Sequence, residues 1–155
     1  RSDHLADALR GIRREPRHLQ FKFFQQWLKL KAYANGKGIK IIGDMPIYVS
    51  LDSSDVWAHP ELFQLDSENQ PTAIAGCPPD AFSADGQMWG NPLYRWDYHK
   101  QTGFDWWASR LYQSFRLYDT VRIDHFRGMD EYFSIPADAK TALSGHWEPG
   151  LIIND

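Results

Sequence analysis

One order of elements occurs twice in this chain: a helical pattern followed by a short strand-like run that ends in a carboxylate. From Leu19 to Ala34 apolar residues recur at steps of three and four, which predicts an amphipathic helix ended by Asn35-Gly36. The Ile-rich run Gly38–Asp44 then predicts a buried parallel strand. A second helix is predicted over Thr102–Leu117, and a second strand over Asp119–Asp124. Helices that alternate with short buried strands predict an α/β fold with a parallel sheet.

The remaining segments predict little regular structure. The stretch Met45–Tyr98 is rich in Pro, Gly, Asp, Ser and aromatic residues and has weak periodicity. We therefore predict a helix plus strand over residues 18–44, a long loop over 45–98, a helix plus strand over 99–124, and a loop and tail over 125–155. Thr102 and Asp105 have the spacing of a capping box at the start of the second helix.

The chain is expected to be a fragment of a single domain. It has 155 residues, whereas a complete (β/α)8 barrel takes about 250. It begins with Arg1 rather than Met and ends after the apolar triplet Leu151–Ile153, so both ends are expected to be cut.

Composition excludes several classes of protein. Lys and Arg number 17 against 20 Asp and Glu, a net charge of -3, which argues against sequence-independent binding of nucleic acid. The longest apolar run is three residues, too short for a membrane span or a signal peptide. The single cysteine, Cys77, favours a reducing, cytoplasmic setting. His59 and His125 lack the spacing of a zinc site, so no metal is expected.

The carboxylates at the ends of the two predicted strands are the first candidate site, because functional groups gather at the C-terminal ends of parallel strands. Residues i and i+2 of a strand point to the same side, so Arg122 and Asp124 should face the same space. Asp124 is then either an ionised nucleophile or half of a structural ion pair. Asp44 either binds a ligand hydroxyl, supports Asp124 or caps the next turn.

The segment Gly76–Tyr94 interleaves proline turns, glycines, aromatic rings and planar amides. A sugar presents an apolar ring face and a belt of hydroxyl groups, and such a segment suits both surfaces. The alternative is an aromatic cluster that pins a long loop, with Trp89 or Tyr94 in that role. The pattern leaves both interpretations open.

Three segments together resemble one family: Gly43–Val49, Gly76–Tyr94 and Val121–Gly128. The family is glycoside hydrolase family 77, the 4-α-glucanotransferases, also known as amylomaltases or disproportionating enzymes. Asp55–Phe63 and Gly103–Trp107 fit the same family, and the similarity runs from about Gln20 to Pro149.

The resemblance implies an α/β fold, a partial (β/α)8 TIM barrel of the α-amylase clan, in which this chain supplies two barrel strands and a long inserted active-site loop. An open part of such a barrel leaves strand edges uncovered, so we expect the isolated chain to fold poorly and to lack normal activity. It implies transfer of an α-1,4-glucan segment to the 4-hydroxyl of glucose or a maltooligosaccharide by retaining double displacement. No cofactor, metal, nucleic acid or membrane is implied. Two alternatives remain: a non-catalytic glucan-binding fragment, and a hydrolase of the same clan.

The resemblance also assigns residues. Asp124 corresponds to the nucleophile and Arg122 to the residue that keeps it ionised. In the family the acid/base Glu follows the next barrel strand, and nothing around Glu131 or Glu148 matches its motif. Ala81 stands where many members have Tyr, which puts one stacking surface in doubt. The substrate-binding residues implied are Asp44, His125, Asp80, Phe82, Gln87, Trp89 and Asn91.

Overall fold

A computed structural model describes the backbone of residues 2–151 and the side chains of residues 16–151. The chain is a mixture of helices and strands. Ile152 and Ile153, from the predicted apolar end, lie outside the described residues. The helices are α1 (Ser2–Gly36), α2 (Ser54–Ala58), α3 (Trp96–Gln101) and α4 (Asp105–Leu117), and the strands are β1 (Ile42–Pro46), β2 (Ala73–Cys77), β3 (Gln87–Pro92), β4 (Thr120–Asp124), β5 (Glu131–Pro136) and β6 (His146–Pro149).

The structure divides into two compact units, one of Arg1–Gly43 with Tyr112–Val121 and one of Asp44–Leu111 with Arg122–Asp155. β1 and β4 form a two-stranded sheet, and β3, β2, β5 and β6 form a four-stranded sheet in that order. The division does not follow the predicted segments, because β1, α4 and β4 each contribute residues to both units.

In the first unit, polar contacts join α1 to the segment before β4. The Trp27 indole donates to the Leu117 carbonyl at 2.8 Å, and Lys31 donates to the Tyr118 carbonyl at 2.9 Å. Asp119 accepts hydrogen bonds from the Ile41 backbone N–H and the Asn35 amide, both at 2.8 Å. The hydrogen bond from Ile41, followed by that from Asn35, lowers the pKa of Asp119.

The predicted first helix is confirmed over Leu19–Ala34 and ends at Gly36, but it begins at Ser2, well before the predicted start. Its predicted apolar face is less buried than expected, because Leu19 is 67% exposed and Phe23 51%. The prediction of a buried first strand over Gly38–Asp44 is wrong in its bounds and its burial. β1 begins at Ile42 and continues to Pro46, with alternate residues exposed. Gly43 is buried. The Tyr118 ring lies so close to it that a side chain at this position would overlap the ring.

The predicted second helix divides in two. Gly103 and Phe104 have φ of 63° and 60°, a left-handed conformation that a helix cannot contain, so α4 begins only at Asp105. The predicted capping box is wrong, because the Thr102 hydroxyl donates back to the Tyr98 and His99 carbonyls at 3.2 and 3.1 Å. Thr102 therefore ends α3 instead of starting α4.

The second unit contains regular structure where the sequence predicts loops. β2 and β3 lie within residues 45–98, and β5 and β6 lie within residues 125–155. All three strand pairs are antiparallel, with Ile74 opposite Ile135 and Phe133 opposite Trp147. Gly76 allows β2 and β3 to approach closely, since a side chain there would overlap the Gln87 carbonyl. A small core supports one face of the sheet: Ile74, Phe133, Ile135 and Ala142.

Tyr94 lies at the centre of an aromatic cluster in the second unit. It is 1% exposed, and its ring contacts those of Tyr48, Phe63 and Trp107 at centroid distances of 5.9, 5.4 and 5.3 Å. Its hydroxyl donates to the Ile47 carbonyl at 2.6 Å. Burial raises the pKa of Tyr94 above its ordinary range. For Tyr94, the interpretation as an aromatic cluster that pins the loop is therefore correct.

Candidate active site

Arg122 bridges the two carboxylates predicted at the strand ends. Its Nη1 lies 2.7 Å from Asp44 Oδ2 and its Nη2 lies 2.6 Å from Asp124 Oδ1. Arg122 and Asp124 lie two residues apart on β4, and their contact confirms the prediction that they face the same side of the strand. All three side chains are more than half exposed. The charge of Asp44, followed by that of Asp124, raises the pKa of Arg122, so the guanidinium stays cationic at any physiological pH.

His125 follows the bridge in an unusual backbone conformation. Its φ is 50° and its ψ is 43°, the left-handed region that non-glycine residues seldom adopt. The Trp89 ring meets the imidazole edge-on with centroids 4.9 Å apart. Burial lowers the pKa of His125, partly offset by Asp124. Its Nε2 is buried and has no hydrogen-bond partner among the described residues, so this nitrogen is unpaired in the neutral imidazole.

A pocket of about 150 Å³ brings four predicted site residues together. It places the nucleophile candidate beside aromatic and amide side chains, the combination that a sugar ring requires. The residues that line it are Pro46, Ile47, Tyr48, Trp89, Asn91, Asp124 and His125.

Tyr48 is a site residue that the sequence analysis did not identify. It is 6% exposed, and its ring lies 6.2 Å from that of Trp89 and 5.9 Å from that of Tyr94. Burial raises its pKa, so its hydroxyl stays protonated. A signal was present, because Tyr48 belongs to the segment Gly43–Val49, which the sequence analysis connected with the family.

The predicted residues Asn91 and Gln87 support the pocket from β3. Asn91 donates through its amide to the Val49 carbonyl at 2.9 Å, which ties β3 to the segment after β1. Gln87 accepts a hydrogen bond from the Trp89 indole at 3.0 Å, although Gln87 itself does not line the pocket. Trp89 is 37% exposed, so part of its ring is available to a ligand.

Asp80 and Phe82 do not line this pocket. Asp80 accepts hydrogen bonds from the backbone N–H groups of Phe82 and Ser83, both at 2.8 Å, and so closes its own turn. Phe82 is 97% exposed at that turn, next to the exposed Ala81. The structure thus presents Phe82 on a fixed turn without a contact to the Asp124 pocket.

The glutamates that follow Asp124 in the sequence have other partners. Glu131 pairs with Arg127 at 3.3 Å and Glu148 with His146 at 2.8 Å. Across the described residues, no group of three His, Cys, Asp or Glu side chains could hold a metal ion. No helix in the described part of the chain is long and apolar enough to cross a membrane.

Comparisons with known proteins identify the family to which the chain belongs. The family model described as 4-alpha-glucanotransferase matches residues 8–153. A 4-alpha-glucanotransferase of Streptococcus pneumoniae is 59% identical over 131 residues, which are 84% of this chain and 26% of the relative. The chloroplastic/amyloplastic 4-alpha-glucanotransferase of Solanum tuberosum is 47% identical over 131 residues, 84% of this chain and 23% of the relative.

A solved structure extends the similarity to the fold. Amylomaltase from Streptococcus agalactiae in complex with acarbose matches with a TM-score of 0.83 and 58% identity, over 84% of this chain and 26% of that one. This chain belongs to the 4-α-glucanotransferase family, glycoside hydrolase family 77. It spans about a quarter of the length of the curated relatives named above.

Proposed function

We propose that the natural protein carrying these residues is a 4-α-glucanotransferase of starch and maltodextrin metabolism. It moves a segment of an α-1,4-glucan donor to the 4-hydroxyl of glucose or a maltooligosaccharide acceptor. The observation that carries the proposal is the Arg122 bridge between Asp44 and Asp124, at the edge of a pocket lined by Trp89 and Tyr48. The names of the relatives support the same activity.

Asp124 acts as the nucleophile in this proposal. Its carboxylate attacks C1 of the donor sugar while the glycosidic bond breaks, and a glucosyl ester forms with inverted configuration. The 4-hydroxyl of the acceptor then attacks C1 from the opposite side and releases Asp124, so the original configuration returns. Arg122 holds Asp124 Oδ1 at 2.6 Å, which fixes the direction of the carboxylate.

The substrate-binding residues divide by position. Trp89, Asn91 and His125 line the pocket with Asp124 and would contact the sugar that reacts. Asp44 would bind a hydroxyl with the oxygen that Arg122 does not hold. The exposed ring of Phe82, fixed by Asp80, would bind glucan farther from the reacting bond, and Gln87 would orient the Trp89 indole.

A retaining reaction needs a second carboxyl group about 5–5.5 Å from the nucleophile, to protonate the leaving oxygen and then to activate the acceptor. We assign this role to none of the described glutamates, because nothing around Glu131 or Glu148 matches the acid/base motif, and the two side chains contact Arg127 and His146. The proposed enzyme therefore needs an acid/base carboxyl from outside the described residues.

The proposal extends to the architecture. Residues 1–155 would form part of one catalytic (β/α)8 barrel of the α-amylase clan, with β1 and β4 as barrel strands. Residues 45–98 would be an active-site insertion between the segments 18–44 and 99–124, with 125–155 following the nucleophile strand. We also propose a cytoplasmic location, although the potato relative is named chloroplastic/amyloplastic.

The decisive experiment incubates the natural protein with maltotriose and measures both chain lengths and reducing ends. A transferase redistributes chain lengths at a constant number of reducing ends, whereas a hydrolase raises that number. Asp124→Asn should lower the rate by at least about a thousandfold, equivalent to ~4 kcal/mol of transition-state stabilisation. Constant chain lengths, together with binding of acarbose that survives Asp124→Asn, would instead identify a glucan-binding protein without turnover.

A further inference from the structure

A groove in the second unit is separate from the Asp124 pocket. It encloses about 440 Å³ and shares no lining residue with that pocket. We propose that this groove is a second carbohydrate site, which binds a neutral α-glucan segment without reacting with it. The identity of the sugar rests on the proposed function. Its lining is Leu51, Asp52, Ser53, Ser54, Val56, Trp57, Pro60, Asn69 and Gln70.

Trp57 supplies the flat apolar surface of the groove. Its side chain is 87% exposed, whereas Trp107 is 5% exposed and Trp89 37%. A large aromatic ring left in water gains free energy when a ligand covers it, and the apolar face of a sugar ring is such a cover. The volume of the groove lies within the range of about 300–1,000 Å³ that is usual for small-molecule sites.

The helix α2, which carries Trp57, is held in place by a buried side chain and by hydrogen bonds. Val56 is buried, and its backbone N–H donates to the Ser53 hydroxyl at 3.3 Å. The Trp106 indole donates to Asp55 Oδ1 at 3.1 Å, which connects α2 to the aromatic cluster. Because α2 is anchored by these contacts, the exposed ring is presented at a fixed place and loses little freedom when a ligand binds.

The lining of the groove also includes planar amides from a fixed turn. Asp66 Oδ1 accepts from the backbone N–H groups of Glu68 and Gln70, at 2.8 and 2.9 Å. Within the described residues the side-chain amide of Asn69 has no hydrogen bond. The side-chain amide of Gln70 has only a long one, 3.4 Å to the Glu68 carbonyl. Both amides can therefore donate to and accept from sugar hydroxyls.

The charge of the groove selects a neutral ligand. Its lining contains one carboxylate, Asp52, and no Lys, Arg or His among the described residues. An anionic ligand such as a phosphate would be repelled by Asp52 and would find no cation to pair with. A hydroxyl group, in contrast, can donate to that carboxylate, as the Ser50 hydroxyl already does at 2.5 Å.

The test measures maltotetraose binding to the natural protein in an Asp124→Asn background, so that the ligand is not consumed. Calorimetry should resolve two classes of site. Trp57→Ala should weaken one class by about tenfold or more, whereas Trp57→Phe, which keeps a flat ring, should weaken it by less than about threefold. Asn69→Gly should also weaken this class, and it accommodates the φ of 59° at that position without strain.

A second readout follows binding in the protein with Trp57 intact, and it uses a variant only to assign the signal. The protein is labelled with 5-fluorotryptophan, and the ¹⁹F signal of Trp57 is assigned by its loss in Trp57→Phe. Addition of maltotetraose should shift this signal and that of Trp89 with different midpoints. A Trp57 signal that stays fixed while the Trp89 signal moves overturns the second site and leaves the proposed function intact. A Trp57 signal that moves while Trp89→Ala changes nothing supports the groove and contradicts the proposed binding role of Trp89.

Discussion

Tyr94→Phe tests whether the aromatic cluster holds the segment after β1 through shared hydrogen bonds. The Tyr94 hydroxyl donates to the buried Ile47 carbonyl at 2.6 Å. Arg110 donates to the same carbonyl at 3.0 Å and to the Pro46 carbonyl at 2.5 Å, and its guanidinium lies 5.3 Å from the centre of the Trp107 ring. After removal of the Tyr94 hydroxyl, the Ile47 carbonyl therefore still has one donor, the Arg110 guanidinium.

The magnitude follows from that second donor. A buried carbonyl left without any partner costs about 1–3 kcal/mol, whereas the loss of one of two hydrogen bonds costs about 0.5–1.5 kcal/mol. We expect the free energy of unfolding to fall by about 1 kcal/mol in Tyr94→Phe. In Arg110→Met the effect of Tyr94→Phe should rise, because the carbonyl then loses both partners.

The assay is urea denaturation of the natural protein and its variants, followed by near-ultraviolet circular dichroism. Tyr112→Phe is the matched control, because Tyr112 is 65% exposed and should change stability by less than about 0.5 kcal/mol. A loss above about 3 kcal/mol in Tyr94→Phe alone would refute the compensating role of Arg110. Equal effects of Tyr94→Phe with and without Arg110→Met would refute it as well.

Four further predictions follow from single contacts. Gly76→Ala should destabilise by more than about 2 kcal/mol in thermal unfolding, because its methyl group overlaps the Gln87 carbonyl, whereas Gly36→Ala, with nothing within 4 Å, should not destabilise. Arg122→Lys should lower the turnover rate of maltotriose by about a hundredfold, because a single ammonium cannot bridge Asp44 and Asp124 with paired hydrogen bonds; an unchanged rate contradicts the bridge. Burial lowers the pKa of the fully buried His99 from its ordinary value of 6.5, so the unfolded state binds a proton at a higher pH than the folded state does. The free energy of unfolding should therefore fall as the pH drops below about 6.5. An NMR titration of His99 in the folded protein should show a midpoint under that value. Ala81→Tyr, on an exposed turn, should change stability by less than about 0.5 kcal/mol and strengthen maltooligosaccharide binding measured by calorimetry.

Local pattern predicted the elements that depend on local contacts. The periodicity of α1 and the Val-Arg-Ile alternation of β4 both led to correct elements, and the spacing of Arg122 and Asp124 correctly predicted that they meet. β2 was missed because its five residues pair with β5, about sixty positions away. Tyr132–Ile135, a buried run in β5, carried a weak strand signal that the surrounding Gly and Pro residues concealed.

The site was predictable in its residue types and less so in its geometry. Asp44 was identified with three possible roles, and its contact with Arg122 was not predicted. The left-handed conformation of His125 and the contact of its ring with Trp89 depend on tertiary packing and have no local signal. Asp80 and Phe82 share a segment with Trp89 yet lie outside the pocket, because Asp80 bonds its own turn.

The bridge between Asp44, Arg122 and Asp124 also has an electrostatic consequence. Two carboxylates and one guanidinium sum to a formal charge of -1 at a site that is more than half exposed. In the proposed transfer reaction, a sugar whose anomeric carbon gains positive charge would be attracted to this surplus, while a phosphorylated sugar would be repelled. Dissolved salt screens both effects beyond about 8–10 Å. We therefore expect the proposed enzyme to discriminate less strongly against charged acceptors as ionic strength rises.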